Sequence, residues 1–121
     1  MKVLVIDEDE DIRNITRHML TAEGHEVTTC SRLSPRELPL QWADIILLDE
    51  WSGHKRDGIS LSSGIKNLMG AASKPIIVFS TDDDTEALAQ YARADGYLQK
   101  PFDLDELIRI IDNTAIPQKI N

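Results

Sequence analysis

The sequence predicts an α/β protein built on a doubly wound parallel sheet with helices on both faces. Three observations predict it. Short apolar runs alternate with stretches of helical periodicity along the whole chain. The runs are apolar at consecutive positions, as in Ile45-Ile46-Leu47-Leu48, which suits strands buried on both faces. Several runs stop abruptly at a charged or hydroxyl residue, and the carboxyl ends of parallel strands are where such sheets place their ligands.

The elements follow in order. Val3 to Ile6 is the first strand, and Asp7-Glu8-Asp9-Glu10-Asp11 follows it. These acids cap and electrostatically favour a helix start. Ile12, Ile15 and Met19 then recur at helical spacing, with Leu20 alongside, and form the expected core stripe of the first helix. Glu23-Gly24-His25 stops that helix, and Glu26 to Thr29 is a short second strand with Cys30 near its end. Leu33 to Leu40, interrupted by Pro35 and Pro39, predicts a short or irregular helix. Ala43 to Leu48 is the third strand, ending at Asp49 and a polar loop from Glu50 to Gly58. A helix is expected from about Ile59 to Met69, with Ile65, Leu68 and Met69 on its buried side. Pro75 to Phe79 is the fourth strand, followed by Ser80-Thr81 and a helix capped within Asp82 to Asp84. Gly96-Tyr97-Leu98 is the fifth strand, ending in Gln99-Lys100-Pro101. Asp103 caps a last helix with Leu104, Leu107, Ile108 and Ile111 toward the core, and the pattern fades from Asn113.

Length and composition bound the function. A chain of 121 residues, 41% hydrophobic and 28% charged, is expected to form one domain with its own core. The division predicted is a domain over 1–116 and a short C-terminal tail over 117–121. A net charge of −8 argues against nucleic acid or an anionic membrane as a direct partner, and fits a carboxylate site that takes a divalent cation. The single cysteine excludes an internal disulfide, no apolar run reaches the length of a membrane span, and the chain opens directly on a strand. These features predict a cytoplasmic protein. His18, His25 and His54 share no metal-ligand spacing and read as surface or structural residues. Cys30 reads as a half-buried residue and Trp42 as an edge-packing one.

In a parallel sheet the strand tips share one edge. That edge would collect Asp7 and Glu8 from the first strand, Asp49 from the third, Ser80 and Thr81 from the fourth, and Lys100 from the fifth. Carboxylates crowded together disfavour full ionisation unless a cation joins them. Oxygen ligands with open positions suit Mg²⁺, which completes its shell with water and phosphate. With the Lys100 ammonium and the Ser80 hydroxyl, the set forms a cage for a phosphoryl group bonded to a carboxylate. The nucleophile expected is Asp49.

The stretches Val5-Ile6-Asp7-Glu8, Leu47-Leu48-Asp49, Val78-Phe79-Ser80-Thr81 and Tyr97-Leu98-Gln99-Lys100-Pro101-Phe102 resemble the receiver domain of two-component response regulators over nearly the whole chain. The resemblance implies a flavodoxin-like (βα)5 fold with strand order 2-1-3-4-5. It implies that Asp49 is the phosphoacceptor, and that Glu8, Asp49 and the backbone carbonyl of Trp51 bind Mg²⁺ while Asp7 acts mostly through water. It makes Ser80 and Tyr97 the switch pair, with Thr81 beside Ser80, and sets Lys100 against the phosphoryl oxygens before a cis Pro101. It also implies a phosphohistidine donor on a sensor histidine kinase or phosphotransfer protein, a downstream protein partner, and a homodimer through the face between the fourth and fifth helices.

The sequence departs from this pattern in the loop after Asp49. Gly53 stands where the family has a proline, and Gly58 comes one residue late. Thr81 replaces a smaller residue, and the segment from Ser80 to Lys100 is slightly short. Trp51 and Thr81 are expected to flank the path of a hydrolytic water and slow loss of the phosphoryl group. Two other readings stand beside this one. Asp7-x-Asp9 after an apolar strand also resembles the opening of haloacid-dehalogenase-type phosphatases, with Asp7 as nucleophile. A degenerate receiver acting only as a binding module is the third.

Overall fold

The computed structural model describes residues 1–31, 38–49, 64–70, 74–80, 94–100 and 102–115. Five parallel strands form one sheet: β1 (Lys2–Ile6), β2 (Glu26–Cys30), β3 (Ile45–Asp49), β4 (Ile76–Ser80) and β5 (Gly96–Gln99), in the order β2-β1-β3-β4-β5. This is the predicted topology. Helix α1 (Glu10–Ala22) joins β1 to β2, residues 64–69 are helical, and a C-terminal helix (Leu104–Ala115) follows β5.

The apolar runs divide by parity, as a period of two requires. Leu4, Ile6, Ile46, Leu48, Ile76 and Val78 pack on one face of the sheet with Leu38, Leu40, Ala43 and Ile65. Val3, Val5, Ile45, Leu47, Ile77 and Phe79 pack on the other with Leu20, Leu98, Leu107 and Ile111. All of Ile45 to Leu48 are fully buried, so each contributes roughly 1.5–3 kcal/mol of burial energy. Trp42, half-buried, packs against the first of these cores.

Two side-chain clamps fix the end of the sheet opposite the tips. The Lys2 amide donates to Asp44 Oδ2 at 2.8 Å. The Ile76 amide donates to Asp95 Oδ2 at 2.8 Å, and the same oxygen takes Lys66 Nζ at 2.5 Å.

The helices obey their capping signals, but not every predicted stripe. Asp9 is the N-cap of α1 and accepts from the Asp11 and Ile12 amides. Gly24, at φ 90°, ends the helix in the left-handed region while His25 N returns to Leu20 O. The stripe expected through Ile15 is corrected: Ile15 is 56% exposed, and Thr16 and Leu20 are buried instead. Ile12 and Met19 are half-buried, so the buried face runs through 12, 16, 19 and 20. Leu68, expected inside, is 44% exposed, because Ile65 and Met69 already meet the core from that turn. In the C-terminal helix Leu107 and Ile111 are buried and Ile108 is only half-buried, while Ile110 joins the packing. That helix extends to Ala115, beyond the predicted fade. The helix expected after Ser80, and most of the segments over Leu33–Leu40 and 59–63, lie outside the described residues.

Candidate functional site

The strand order reverses between β1 and β3: the chain adds β2 on one side of β1, and β3, β4 and β5 in turn on the other. Such a switch point opens a crevice at the carboxyl ends of the two strands. Asp7 directly follows β1 and Asp49 is the last residue of β3, so both carboxylates belong to that crevice.

Asp7 is only 2% exposed and is held from several sides. Its amide donates to Cys30 O at 3.0 Å, continuing the β1–β2 ladder beyond the strand. Its Oδ1 accepts the Asp9 amide at 2.9 Å, which tightens the turn into α1. Its carbonyl accepts Arg13 Nη1 at 2.7 Å, from the first turn and a half of α1. Its Oδ2 meets Lys100 Nζ at 3.4 Å. The same ammonium lies 3.1 Å from Asp49 Oδ1. One cation therefore joins the tips of three strands that are distant in sequence.

Burial makes this arrangement rigid and electrostatically strong. The Asp49 and Lys100 side chains are 12% and 18% exposed. The Phe79 ring, fully buried, lies beneath the ammonium with its centroid 6.0 Å from Nζ. Phe79 in turn meets Phe102, with ring centroids 5.1 Å apart and planes inclined at 43°. Glu8 is exposed at the rim. Tyr97 stands outward from β5 and is 42% exposed. Beside the crevice, burial pushes the Cys30 thiol above its ordinary range, and the Arg13 guanidinium opposes this only in part.

Among the described residues, two carboxylates share the Lys100 ammonium, so the described part of the cluster carries more carboxylate than ammonium. Such an all-oxygen donor set with excess negative charge fits a hard divalent cation. Among the described residues no three His, Cys, Asp or Glu side chains converge as a complete metal cluster. The expected Trp51 ligand, together with Thr81, Pro101 and the Ser80 hydroxyl, lies outside the described residues and side chains.

Sequence reasoning brought Asp7, Asp49 and Lys100 to one place. It missed Arg13, whose partner is a backbone carbonyl, and the aromatic pair beneath Lys100. The latter carried a faint signal: Phe79 and Phe102 each flank a residue already singled out.

Comparison with known proteins gives this geometry a family. The profile of the response regulator receiver domain matches residues 3–112. The chain belongs to that family. It is 33% identical over 121 residues to the transcriptional regulatory protein KdpE of Staphylococcus aureus, covering 94% of this chain and 51% of that protein. It is 32% identical over 125 residues to an uncharacterized 14.6 kDa protein of Leptolyngbya boryana, covering 96% of this chain and 91% of that one. It is also 32% identical over 115 residues to the transcriptional regulatory protein GltR of Pseudomonas aeruginosa. The chain thus spans about half the length of KdpE and GltR.

Among solved structures, the receiver domain protein from Clostridium thermocellum is 26% identical with a TM-score of 0.77, covering 94% of this chain and 93% of that one. The Vibrio cholerae chemotaxis protein CheY4 shares the fold at a TM-score of 0.79 and 24% identity, covering 93% of this chain and 97% of that chain. Among the described residues of this receiver domain, no helix is long and apolar enough to cross a membrane.

Proposed function

We propose that this receiver domain accepts a phosphoryl group on Asp49 from a phosphohistidine of a sensor histidine kinase or phosphotransfer protein, and that the phosphorylated form changes its binding to a downstream protein partner. The observation that carries the reading is the ammonium of Lys100, 3.1 Å from Asp49 and 3.4 Å from Asp7. A fixed cation beside a carboxylate at a strand tip neutralises charge where a phosphoryl group would arrive.

In the transfer, an Asp49 carboxylate oxygen forms a bond to phosphorus. The phosphorus–nitrogen bond of the donor breaks, and the imidazole keeps the electron pair and later takes a proton. The residues act by position and charge rather than by acid–base chemistry. Asp7 stays in place because its amide, carbonyl and Oδ1 are all engaged. Lys100 follows the new charge from the carboxylate to the phosphoryl oxygens. Asp7, Glu8, Asp49 and the Trp51 carbonyl would hold Mg²⁺, which supplies neutralising charge to those oxygens when bound. Ser80, Thr81 and Tyr97 would carry the switch, with Tyr97 starting from an outward, 42% exposed position.

The phosphatase reading needs Asp7 as nucleophile, and a 2% exposed carboxylate with one oxygen on the Asp9 amide is poorly placed to attack. The test is incubation with acetyl phosphate and Mg²⁺ followed by intact mass. The expected result is one added phosphate in the wild type and in Asp7→Asn at reduced rate, and none in Asp49→Asn. A phosphate retained in Asp49→Asn and lost in Asp7→Asn would reverse the assignment.

A further inference from the structure

Phe79 occupies a position that the phosphoacceptor reading does not use. In the β3–β4 register it is the Cα partner of Asp49, and across β4–β5 it is the partner of Leu98, two residues before Lys100. By strand parity its ring and the Asp49 side chain leave the sheet on the same face. The ring is fully buried in the cluster that holds Leu47, Leu98, Leu107 and Ile111, and that packing fixes its place in the core. Phe102, half-buried, closes on it at 5.1 Å. The Lys100 ammonium lies over the face of Phe79, at the outer limit of cation–π attraction.

We propose that Phe79, braced by Phe102, is a positioning residue for Lys100, and rests on Asp49 being the phosphoacceptor for its consequence. The physical argument is one of direction. The bonds from Nζ to Asp49 Oδ1 and Asp7 Oδ2 are directional and must be partly exchanged when charge moves from carboxylate to phosphoryl oxygen. The attraction of a cation to a ring face is diffuse and changes little for a short lateral displacement. The ring therefore supports the ammonium from beneath while its oxygen partners change. It also excludes water from one side of the cation, which strengthens the remaining interactions. An aliphatic residue of similar bulk would fill the core and leave Lys100 without that surface.

The test combines a contact readout with a kinetic cycle. In the unphosphorylated protein, ring currents should move the Lys100 ε-methylene protons upfield, and Phe79→Leu should return them toward the value for free lysine. With acetyl phosphate and Mg²⁺, Phe79→Leu should slow phosphate uptake roughly threefold to tenfold. In a Lys100→Ala background the same substitution should add no further slowing, because the ring acts through the ammonium. Phe79→Tyr keeps the ring and should keep the rate. Phe102→Leu, at a half-buried position, repeats the cycle if Phe79→Leu does not fold. An unshifted Lys100 signal, or equal slowing in both backgrounds, overturns the proposal. No phosphate uptake by the wild type overturns the phosphoacceptor reading and the kinetic role together, while the Lys100 resonance still decides the contact by itself.

Discussion

Replacing Lys100 with methionine keeps the aliphatic stem and deletes the ammonium. That ammonium lies 3.1 Å from one Asp49 oxygen and 3.4 Å from one Asp7 oxygen. At an effective dielectric near 20, each attraction amounts to about 5 kcal/mol. Desolvation of the ions removes several kcal/mol of this gain, and the lysine side chain, 18% exposed, retains some water. The expected net destabilisation is therefore about 2–4 kcal/mol, below the full range for breaking a wholly buried pair. In a domain of this size that lowers Tm by about 6–15 °C. The loss includes the mutual repulsion of two carboxylates that had shared one ammonium, so Lys100→Met/Asp49→Asn should be more stable than Lys100→Met alone. Urea unfolding followed by circular dichroism measures both. A Lys100→Met variant within about 0.5 kcal/mol of wild type, or a double variant no more stable than the single one, would refute the electrostatic account.

Two further predictions address the packing around the site. The burial that raises the Cys30 pKa holds its proton more tightly in the folded chain than in the unfolded one. Folded-state stability therefore falls as pH rises through the thiol range, and Cys30→Ser should flatten that slope in urea melts. Native protein should accordingly alkylate with iodoacetamide more slowly than unfolded protein at neutral pH; equal rates would contradict the assignment. On α1, Ile15→Lys should change stability by no more than about 0.5 kcal/mol, whereas Leu20→Ala should cost about 2–5 kcal/mol. A large loss for Ile15→Lys would restore the stripe that the structure overturns.

The strands were the most legible part of the sequence. Four consecutive apolar residues ending in Asp49 admit few alternatives, and parallel topology then forces the tips together. Asp7, Asp49 and Lys100 could be assembled by that reasoning alone. The phase of α1 could not, because Thr16 occupies an interior position that residue polarity assigns to solvent. Its buried setting follows from how the helix packs on the sheet, a tertiary property. Arg13 was illegible for a different reason: a side chain bonded to the carbonyl of Asp7 leaves no pairing signal in residue types. Residue type does not separate Phe79 from an ordinary strand residue, since only the β3–β4 register sets it level with Asp49.

The separation of the core into two apolar layers has a bearing on how this chain can vary through descent. Leu4, Ile6, Ile46, Leu48, Ile76 and Val78 belong to one layer, while Phe79 belongs to the other with the C-terminal helix. Side chains on opposite faces of a sheet do not share space, so exchanges in one layer need few compensating changes in the other. The layer without Phe79 is thus free to drift toward new combinations of aliphatic residues. The layer beneath Lys100 is tied to the chemistry, and its history should be the slower of the two.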